Sequence, residues 1–179
     1  FLNMFFQEEL KEAAEKNIGI FELLEQKLDG RDVSQVMFYP YLMGTFYNSN
    51  ATAGFSNITA STSREDVILA MFQGICISMC LEIQKLEERV QRFEQIYMVG
   101  GGSKSNIWGQ MFADVLDRPV HICQNSEVGC RGAAICAGIA LGNISFDKHF
   151  PMPKVKKTYY PRSEYTEKYQ KQLKKYQKV

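Results

Sequence analysis

The sequence has 179 residues, of which 45% are hydrophobic and 23% charged, and its formal net charge is +1. These values are ordinary for one globular domain, and the near-neutral charge argues against a nucleic-acid or anionic-membrane surface as the main partner. Five cysteines without metal-ligand spacing predict free thiols in a reduced, cytoplasmic interior. No apolar run is expected to reach the length of a transmembrane helix, and no signal peptide is recognised at the start of the sequence.

The N-terminal third predicts short elements. A helix with an apolar stripe opens the chain, Asn17 and Gly19 break it, and a second helix covers Ile20 to Leu28. The stripe comprises Leu2, Phe5, Phe6, Leu10, Ala13 and Ala14. Val36 to Leu42 predicts a strand, which Pro40 confines to an edge or to the strand's end. A polar loop and a second short strand, Phe55 to Ala60, follow.

The longest predicted helix begins at Ser63, which forms a capping-box pattern with Asp66. Its apolar stripe comprises Ile68, Phe72, Ile75, Met79, Ile83, Leu86, Val90 and Phe93. Up to Leu81 nearly every face is apolar, so this half is expected to be buried on all sides, and from Glu82 the helix is expected to enter solvent. Gly74 costs helix propensity, which predicts a close neighbour at that position.

The central feature is a strand, a glycine turn and a helix. Ile96 to Val99 predicts a buried strand that Gly100, Gly101 and Gly102 end, and an apolar helical face begins at Ile107. Because consecutive glycines have no Cβ, a flat ring or a phosphate can lie directly on their main chain. The polar side chains that follow the turn either cap the helix or reach such a ligand. They are Ser103, Ser105 and Asn106.

The motif excludes two common nucleotide folds. It is not a Walker A loop, because no Gly-Lys-Ser/Thr follows the glycines. It also lacks the dinucleotide pattern, because the next strand, Val120 to Gln124, ends without the carboxylate that would hold a ribose. From this stretch alone, a tight turn whose glycines serve only packing stays an open alternative.

The last third alternates strand and helix. Asn125, Ser126 and Glu127 start a helix of small residues, Val128 to Leu141, which is expected to lie tightly on a sheet or on another helix. The strand–helix–strand order predicts a parallel pair with a right-handed crossover. After a connector around Pro151 and Pro153, a charged tail carries a final helix with one partly apolar stripe. That stripe comprises Tyr165, Tyr169, Leu173 and Tyr176.

Several segments together resemble the C-terminal domain of the FGGY carbohydrate kinases. Residues 99–120 resemble the family's glycine motif, and Phe38 to Gly44 matches its F-x-P-Y-L-x-G. Residues 53–73, 127–138 and 159–176 agree with further family segments in order and spacing. Three departures stand out, and they put the sugar and the contact between lobes in doubt more than the nucleotide site. Thr45 to Asn48 stand where the family usually has a Glu-Arg-x-Pro type of sequence, Asn57 replaces the usual Gly, and Gly102 replaces the common Ala.

The resemblance implies an α/β fold in which helices pack on a small mixed sheet. This fold is the C-terminal lobe of an actin-like, ribonuclease-H-like ATPase, and the sequence would be an incomplete fragment of such a protein. Residues 1–179 would be this nucleotide-side domain. Gly100, Gly101 and Gly102 would back ATP, and Ser105 or Asn106 would contact its adenosine end. The parent would use ATP and Mg²⁺ to phosphorylate a xylulose-like ketopentose or related polyol.

The resemblance also implies that the catalytic base, the phosphate loops and the sugar site lie in an N-terminal domain outside this sequence. That domain would be the partner of this one. No catalytic residue or metal ligand is therefore expected here, and the fragment alone should be inactive. Asp66, Asp114 and Asp117 are expected to be caps or solvated charges. A non-catalytic actin-like module is the alternative, and the oligomeric state, a homodimer included, stays open.

Overall fold

The computed structural model describes residues 2–45, 48–124, 127–147, 150 and 154–177. Three groups of residues discussed above lie outside these ranges. They are Phe46 and Tyr47 of the loop that differs from the family pattern, Asn125 and Ser126 at the predicted helix start, and the connector 151–153. Within them, helices surround two small sheets, and most of the buried apolar residues form one cluster.

The N-terminal segment forms three short helices: α1 (Leu2–Phe5), α2 (Gln7–Glu15) and α3 (Ile20–Leu28). The predicted break is confirmed, since Asn17 has a left-handed φ of 52° and Gly19 is the residue before α3. The predicted stripe is only partly buried. Phe6 and Ala13 are buried, whereas Phe5 and Ala14 are exposed. The inward position between them belongs to Glu9, which is paired with Arg64.

Strands β1 (Met37–Tyr39) and β2 (Gly54–Ser56) form an antiparallel pair. Pro40 ends β1 as predicted, and β2 is shorter than predicted. Asn57, which replaces the usual Gly of the family pattern, has a φ of 61°. Asparagine tolerates this left-handed region better than most residues, so the departure keeps the backbone turn.

Helix α4 (Arg64–Glu87) has the predicted capping box, in which Ser63 Oγ accepts from the Asp66 N–H at 3.1 Å and Asp66 Oδ2 accepts from the Ser63 N–H at 2.9 Å. The close neighbour predicted for Gly74 is β1, because a Cβ there would collide with the carbonyl oxygen of Phe38. The glycine thus allows α4 to lie directly against β1.

Burial of α4 on all sides is not observed. Ile68 and Phe72 are buried, but Met79, in the half that was expected to be buried, is 49% exposed. Leu86 is 53% exposed and lies in the half that was expected to enter solvent, so that part of the prediction agrees with the structure. The expectation that no run reaches membrane-spanning length was also wrong. By length and composition α4 qualifies, with a mean hydropathy of 1.8 over 18 residues, yet half of that window is buried inside the protein, as in a core helix.

The second sheet contains the glycine motif. Strands β3 (Ile96–Met98) and β4 (Val120–Cys123) are parallel, as predicted, and β5 (Val155–Tyr159) adds to β4 in the antiparallel direction. The crossover from β3 to β4 is α5 (Asn106–Leu116). The order β3-β4-β5 makes a small mixed sheet, so the predicted α/β class is confirmed. β5 was not predicted as a strand.

The two C-terminal helices differ in burial. Helix α7 (Ser163–Tyr176) buries Tyr169, Leu173 and Tyr176 of the predicted stripe, and the Tyr176 hydroxyl donates to the Phe38 carbonyl at 3.0 Å. Helix α6 (Val128–Ala140) has no buried residue. The predicted tight packing of α6 is therefore absent from the described part of the chain, since none of its described elements covers the small residues.

The three aspartates have different environments. Asp66 caps α4 as expected, and Asp117 is an exposed left-handed residue at the end of α5. For Asp114 the expectation was wrong. Its side chain has no exposed surface, and it pairs with Arg162 at 2.6 Å. The pair joins α5 to the start of α7.

Candidate functional site

The glycine turn between β3 and α5 has a defined geometry. Gly100 has a φ of 80°, a region that side chains disfavour. Residues Gly101–Lys104 then form one turn of 3₁₀ helix, and the Ser103 hydroxyl donates to the Gly100 carbonyl at 2.7 Å. The turn is therefore fixed by its own hydrogen bonds before α5 begins.

The three glycines have different surroundings. Gly100 is needed for its positive φ, and at Gly102 a Cβ would lie 3.1 Å from Met98 Cε. A Cβ at Gly101 would meet no atom within 4 Å. A small shift of the Met98 side chain would accommodate a Cβ at Gly102, in agreement with the alanine that is common there in the family pattern. Neither packing nor a positive φ explains Gly101, whose backbone faces open space.

Ser105 and Asn106 both make contacts at the start of α5. Ser105 Oγ accepts from the Trp108 N–H at 3.1 Å and so caps the helix. Asn106 Oδ1 accepts from the Tyr159 hydroxyl at 2.7 Å and from Lys157 Nζ at 3.2 Å. These bonds use the acceptor of Asn106 and hold its side chain in place. They leave its amide N–H groups without an acceptor among the described residues.

A cavity of about 720 Å³ adjoins the turn. The turn and the start of α5 line it with Gly101, Gly102, Lys104, Ser105, Asn106 and Trp108, and α4 contributes Phe72. A further wall comes from α3, with Phe21, Glu22 and Glu25. The structure therefore brings Gly101, Gly102, Ser105 and Asn106 together around one space. Gly100 directly precedes the turn and does not line the cavity.

Three aromatic rings, tilted by 39° and 43° to one another, give the cavity an apolar surface. The rings of Phe72 and Trp108 lie 5.0 Å apart between centroids, and Phe21 lies 6.3 Å from Trp108. The Trp108 indole N–H donates to the Phe72 carbonyl at 3.3 Å, which fixes the ring. An adjoining apolar cavity of about 420 Å³ shares these three rings.

Sequence reasoning missed the contribution of α3, because it lies about 80 positions before the turn in the chain. One signal was present. Phe21 does not belong to the buried leucine face of α3 (Leu23, Leu24 and Leu28), and it is 51% exposed. Because single exposed hydrophobic residues are common on protein surfaces, this signal alone could not identify the wall.

The charges around the cavity are unevenly distributed. Two carboxylates, Glu22 and Glu25, lie on the α3 side, and Lys104 is the cation that lines it. Lys104 also borders a neighbouring cavity of about 280 Å³, together with Lys156 and Lys157. The cavity is therefore acidic towards α3 and basic towards β5.

The buried thiols belong to the core. Burial raises the pKa of the Cys80 thiol to about 11, and burial also raises the pKa of Cys76 well above its ordinary value. Both thiols stay protonated at neutral pH and are poor nucleophiles. Among the described residues, no three His, Cys, Asp or Glu side chains converge in a metal-binding group.

Comparison with known proteins gives a consistent family. The model of the FGGY family of carbohydrate kinases, C-terminal domain, matches residues 1–141. The L-xylulose/3-keto-L-gulonate kinase of Escherichia coli K12 is 30% identical over 107 residues, which cover 60% of this chain and 22% of that protein. The gluconokinase of Bacillus licheniformis is 29% identical over 152 residues, 80% of this chain and 29% of that protein.

Solved structures show the same fold. The xylulose kinase of Rhodospirillum rubrum superposes with a TM-score of 0.73 at 20% identity, covering 98% of this chain and 36% of that one. The glycerol kinase of Plasmodium falciparum, solved with ADP, gives a TM-score of 0.68 at 16% identity, covering 88% and 33%. The chain thus spans about a fifth to a third of the length of these relatives.

Proposed function

Because the chain belongs to the FGGY family of carbohydrate kinases, we propose that residues 1–179 are the nucleotide-side lobe of an ATP-dependent sugar kinase. The reaction would transfer the γ-phosphate of ATP to a hydroxyl of a xylulose-like ketopentose or a related polyol. The relatives that support this choice include kinases named for L-xylulose and xylulose. A cytoplasmic location accords with the free cysteines.

One observation carries the proposal. The backbone of Gly101 borders a cavity of about 720 Å³ and has open space where a side chain would lie. That volume is in the range of small-molecule sites, and the ring of Trp108, tilted by 43° from that of Phe72, offers an apolar face beside it. The site therefore fits a ligand with a planar base.

The residues around the cavity have complementary roles. Gly100, Gly101 and Gly102 back the nucleotide, because a bare main chain allows close approach. Ser105 accepts a hydrogen bond through its oxygen and keeps its own proton for the ligand. Asn106, whose acceptor is used by Tyr159 and Lys157, presents its amide N–H groups to the adenosine end.

Bound ATP supplies the phosphoryl group, and the residues of this chain bind and orient it. A sugar hydroxyl also needs a base for its proton, and the β- and γ-phosphates need Mg²⁺ and hydrogen-bond donors. We assign the base, the Mg²⁺ site and these donors to an N-terminal lobe outside this sequence, as the resemblance to the family implies. The chain alone is therefore expected to be inactive.

The surface that faces the N-terminal lobe is assigned to α6. This helix is rich in Gly and Ala, has no buried residue, and is followed by Leu141 and Phe146, which are largely exposed. Small side chains allow a second element to approach closely, and an uncovered apolar face marks an interaction site. Closure of two lobes about this face would enclose the substrate.

Calorimetric titration of ADP into the chain tests the nucleotide site, with wild type beside a Gly101→Asp variant. A carboxylate at Gly101 would enter the cavity and repel the phosphates. Because the position has open space and no positive φ, the fold should survive. Gly129→Asp is the matched control, since its Cβ also meets no atom within 4 Å but projects from α6.

Binding by wild type and Gly129→Asp, but not by Gly101→Asp, is the expected result. In the full-length protein, ATP-dependent phosphorylation of ketopentoses should disappear with the same variant. A full-length protein that binds no nucleotide would contradict the proposal and favour a non-catalytic actin-like module. Sedimentation of that protein distinguishes a monomer from a homodimer.

A further inference from the structure

Two carboxylates of the cavity have no role in the function proposed above. Glu22 and Glu25 are three residues apart on α3 and therefore lie on the same side of the helix. Both line the cavity that Gly101 and Gly102 border. Neither forms an ion pair with any described residue, whereas Glu9 and Glu12 of the neighbouring helix α2 are both paired.

An ionised carboxylate is only a hydrogen-bond acceptor. Two such groups beside an aromatic ring therefore favour a ligand that offers N–H donors next to a flat apolar face. Phe21 lies directly before Glu22, and its ring is 6.3 Å from that of Trp108. The wall formed by Phe21, Glu22 and Glu25, which we call the α3 wall, combines both properties.

The charges also orient the nucleotide. Its phosphates are strongly negative and are repelled by the α3 wall, whereas Lys104 lies on another side of the same cavity. The uncharged base end should therefore face α3, and the phosphates should point away from it. This orientation places the edge of the base near Glu22 and Glu25.

We propose that the α3 wall selects adenine, with the carboxylates of Glu22 and Glu25 accepting the exocyclic amine of the base. This inference rests on the proposed nucleotide site. Guanine carries a carbonyl oxygen where adenine carries that amine, so a carboxylate attracts the one base and repels the other. The chain should consequently prefer adenine nucleotides to guanine nucleotides.

The sequence contains a built-in probe, because Trp108 is its single tryptophan and its ring lines the cavity. Titrations of ADP, GDP and 2′-deoxy-ADP against Trp108 fluorescence give three dissociation constants for each protein. The test variant is Glu22→Gln/Glu25→Gln, and Glu15→Gln, on the exposed surface of α2, is the matched control. Circular dichroism confirms that each variant is folded.

Wild type and Glu15→Gln should bind ADP more tightly than GDP, and the double variant should reduce that preference by about tenfold, the value of one hydrogen bond to a charged group. An unchanged preference in the double variant would overturn the inference and leave the proposed function intact. If the double variant instead lost only its preference for ADP over 2′-deoxy-ADP, the carboxylates would bind the ribose and not the base. This result would also overturn the inference. Absence of binding by every nucleotide, in the chain and in the full-length protein, would overturn the proposed function as well.

Discussion

The Asp114 carboxylate is the most completely buried charge of the described structure. It accepts from the Arg162 backbone N–H at 2.8 Å, from the Arg162 guanidinium at 2.6 Å and from Gln110 at 3.0 Å. The two partners are unequal, since half of the Arg162 side chain is exposed and none of Asp114 is. Removal of Arg162 therefore leaves the fully buried Asp114 carboxylate without its ion-pair partner, which costs more free energy than leaving an exposed charge unpaired.

We expect Arg162→Met to lower the free energy of unfolding by about 3 kcal/mol, because the Asp114 charge would stay buried without its ion-pair partner. Urea denaturation measures this value. Arg89→Met, at an exposed arginine beyond α4, should change stability by less than about 0.5 kcal/mol. Equal effects of the two variants would show that the Asp114 pair does not stabilise the fold.

The Glu9–Arg64 pair predicts a pH dependence. The hydrogen bonds from Arg64 hold the pKa of Glu9 below its ordinary value of 4.5. A lowered pKa in the folded state adds stability above pH 4.5, and this contribution is lost as the pH falls through the lowered value. The difference in unfolding free energy between wild type and Glu9→Gln should therefore be constant near neutral pH and shrink below about pH 4.5.

Urea titrations at several pH values test this difference, with Glu8→Gln as the control on the exposed neighbour. A difference that stayed constant at acidic pH would contradict the assigned Glu9–Arg64 pair.

At the scale of residues, the sequence predicted only contacts between residues that are close in the chain. The Ser63–Asp66 box is visible from three-residue spacing, whereas Glu9–Arg64 and Asp114–Arg162 join residues 55 and 48 positions apart.

At the scale of elements, the contact of α4 with β1 depends on Gly74. Replacement of a helical glycine by alanine normally stabilises by about 1 kcal/mol. Gly74→Ala should instead destabilise by about 2 kcal/mol, because the new Cβ would collide with the Phe38 carbonyl of β1. Gly132→Ala in α6 should stabilise, since its Cβ meets no atom within 4 Å. Thermal and urea unfolding of the two variants should thus give opposite signs, and equal signs would contradict the close packing.

The elements that sequence reasoning found are those with a strong local pattern. The glycine turn, the capped α4 and the parallel pair follow from composition and spacing over a few residues. The edge strand β5, V-K-K-T-Y, is mostly polar, and it is a strand because its backbone pairs with β4. For α6 the pattern of small residues was recognised, but the covering element that it requires is absent from the described chain.

At the scale of the whole molecule, the uncovered α6 predicts uneven local stability. Its amides should exchange with deuterium much faster than those of the buried half of α4, because α6 has no buried residue. Hydrogen-exchange mass spectrometry measures both helices in one experiment. In the full-length protein α6 should become protected, and fast exchange there would contradict the assigned contact with an N-terminal lobe.

The candidate site contains residues that could be predicted from the sequence and residues that could not. The turn from Gly100 to Asn106 could be identified from one contiguous stretch, and in the structure five of its residues border one cavity. They are Gly101, Gly102, Lys104, Ser105 and Asn106. The walls of the cavity could not be identified from the sequence, because Phe21, Glu25 and Phe72 reach the cavity only through the packing of α3 and α4. Distant positions of this kind follow from three-dimensional arrangement and not from spacing.

Strand β3 lies at the edge of its sheet, where no other strand of the described ranges pairs with its outer side, and Tyr97 and Val99 at this edge are partly exposed. An open strand edge is a template on which other chains can add. If an N-terminal lobe is synthesised first and packs on this edge as well as on α6, the edge is exposed only briefly. A gene fragment encoding this lobe alone lacks that protection, so co-expression with the upstream lobe should give more soluble protein than expression by itself.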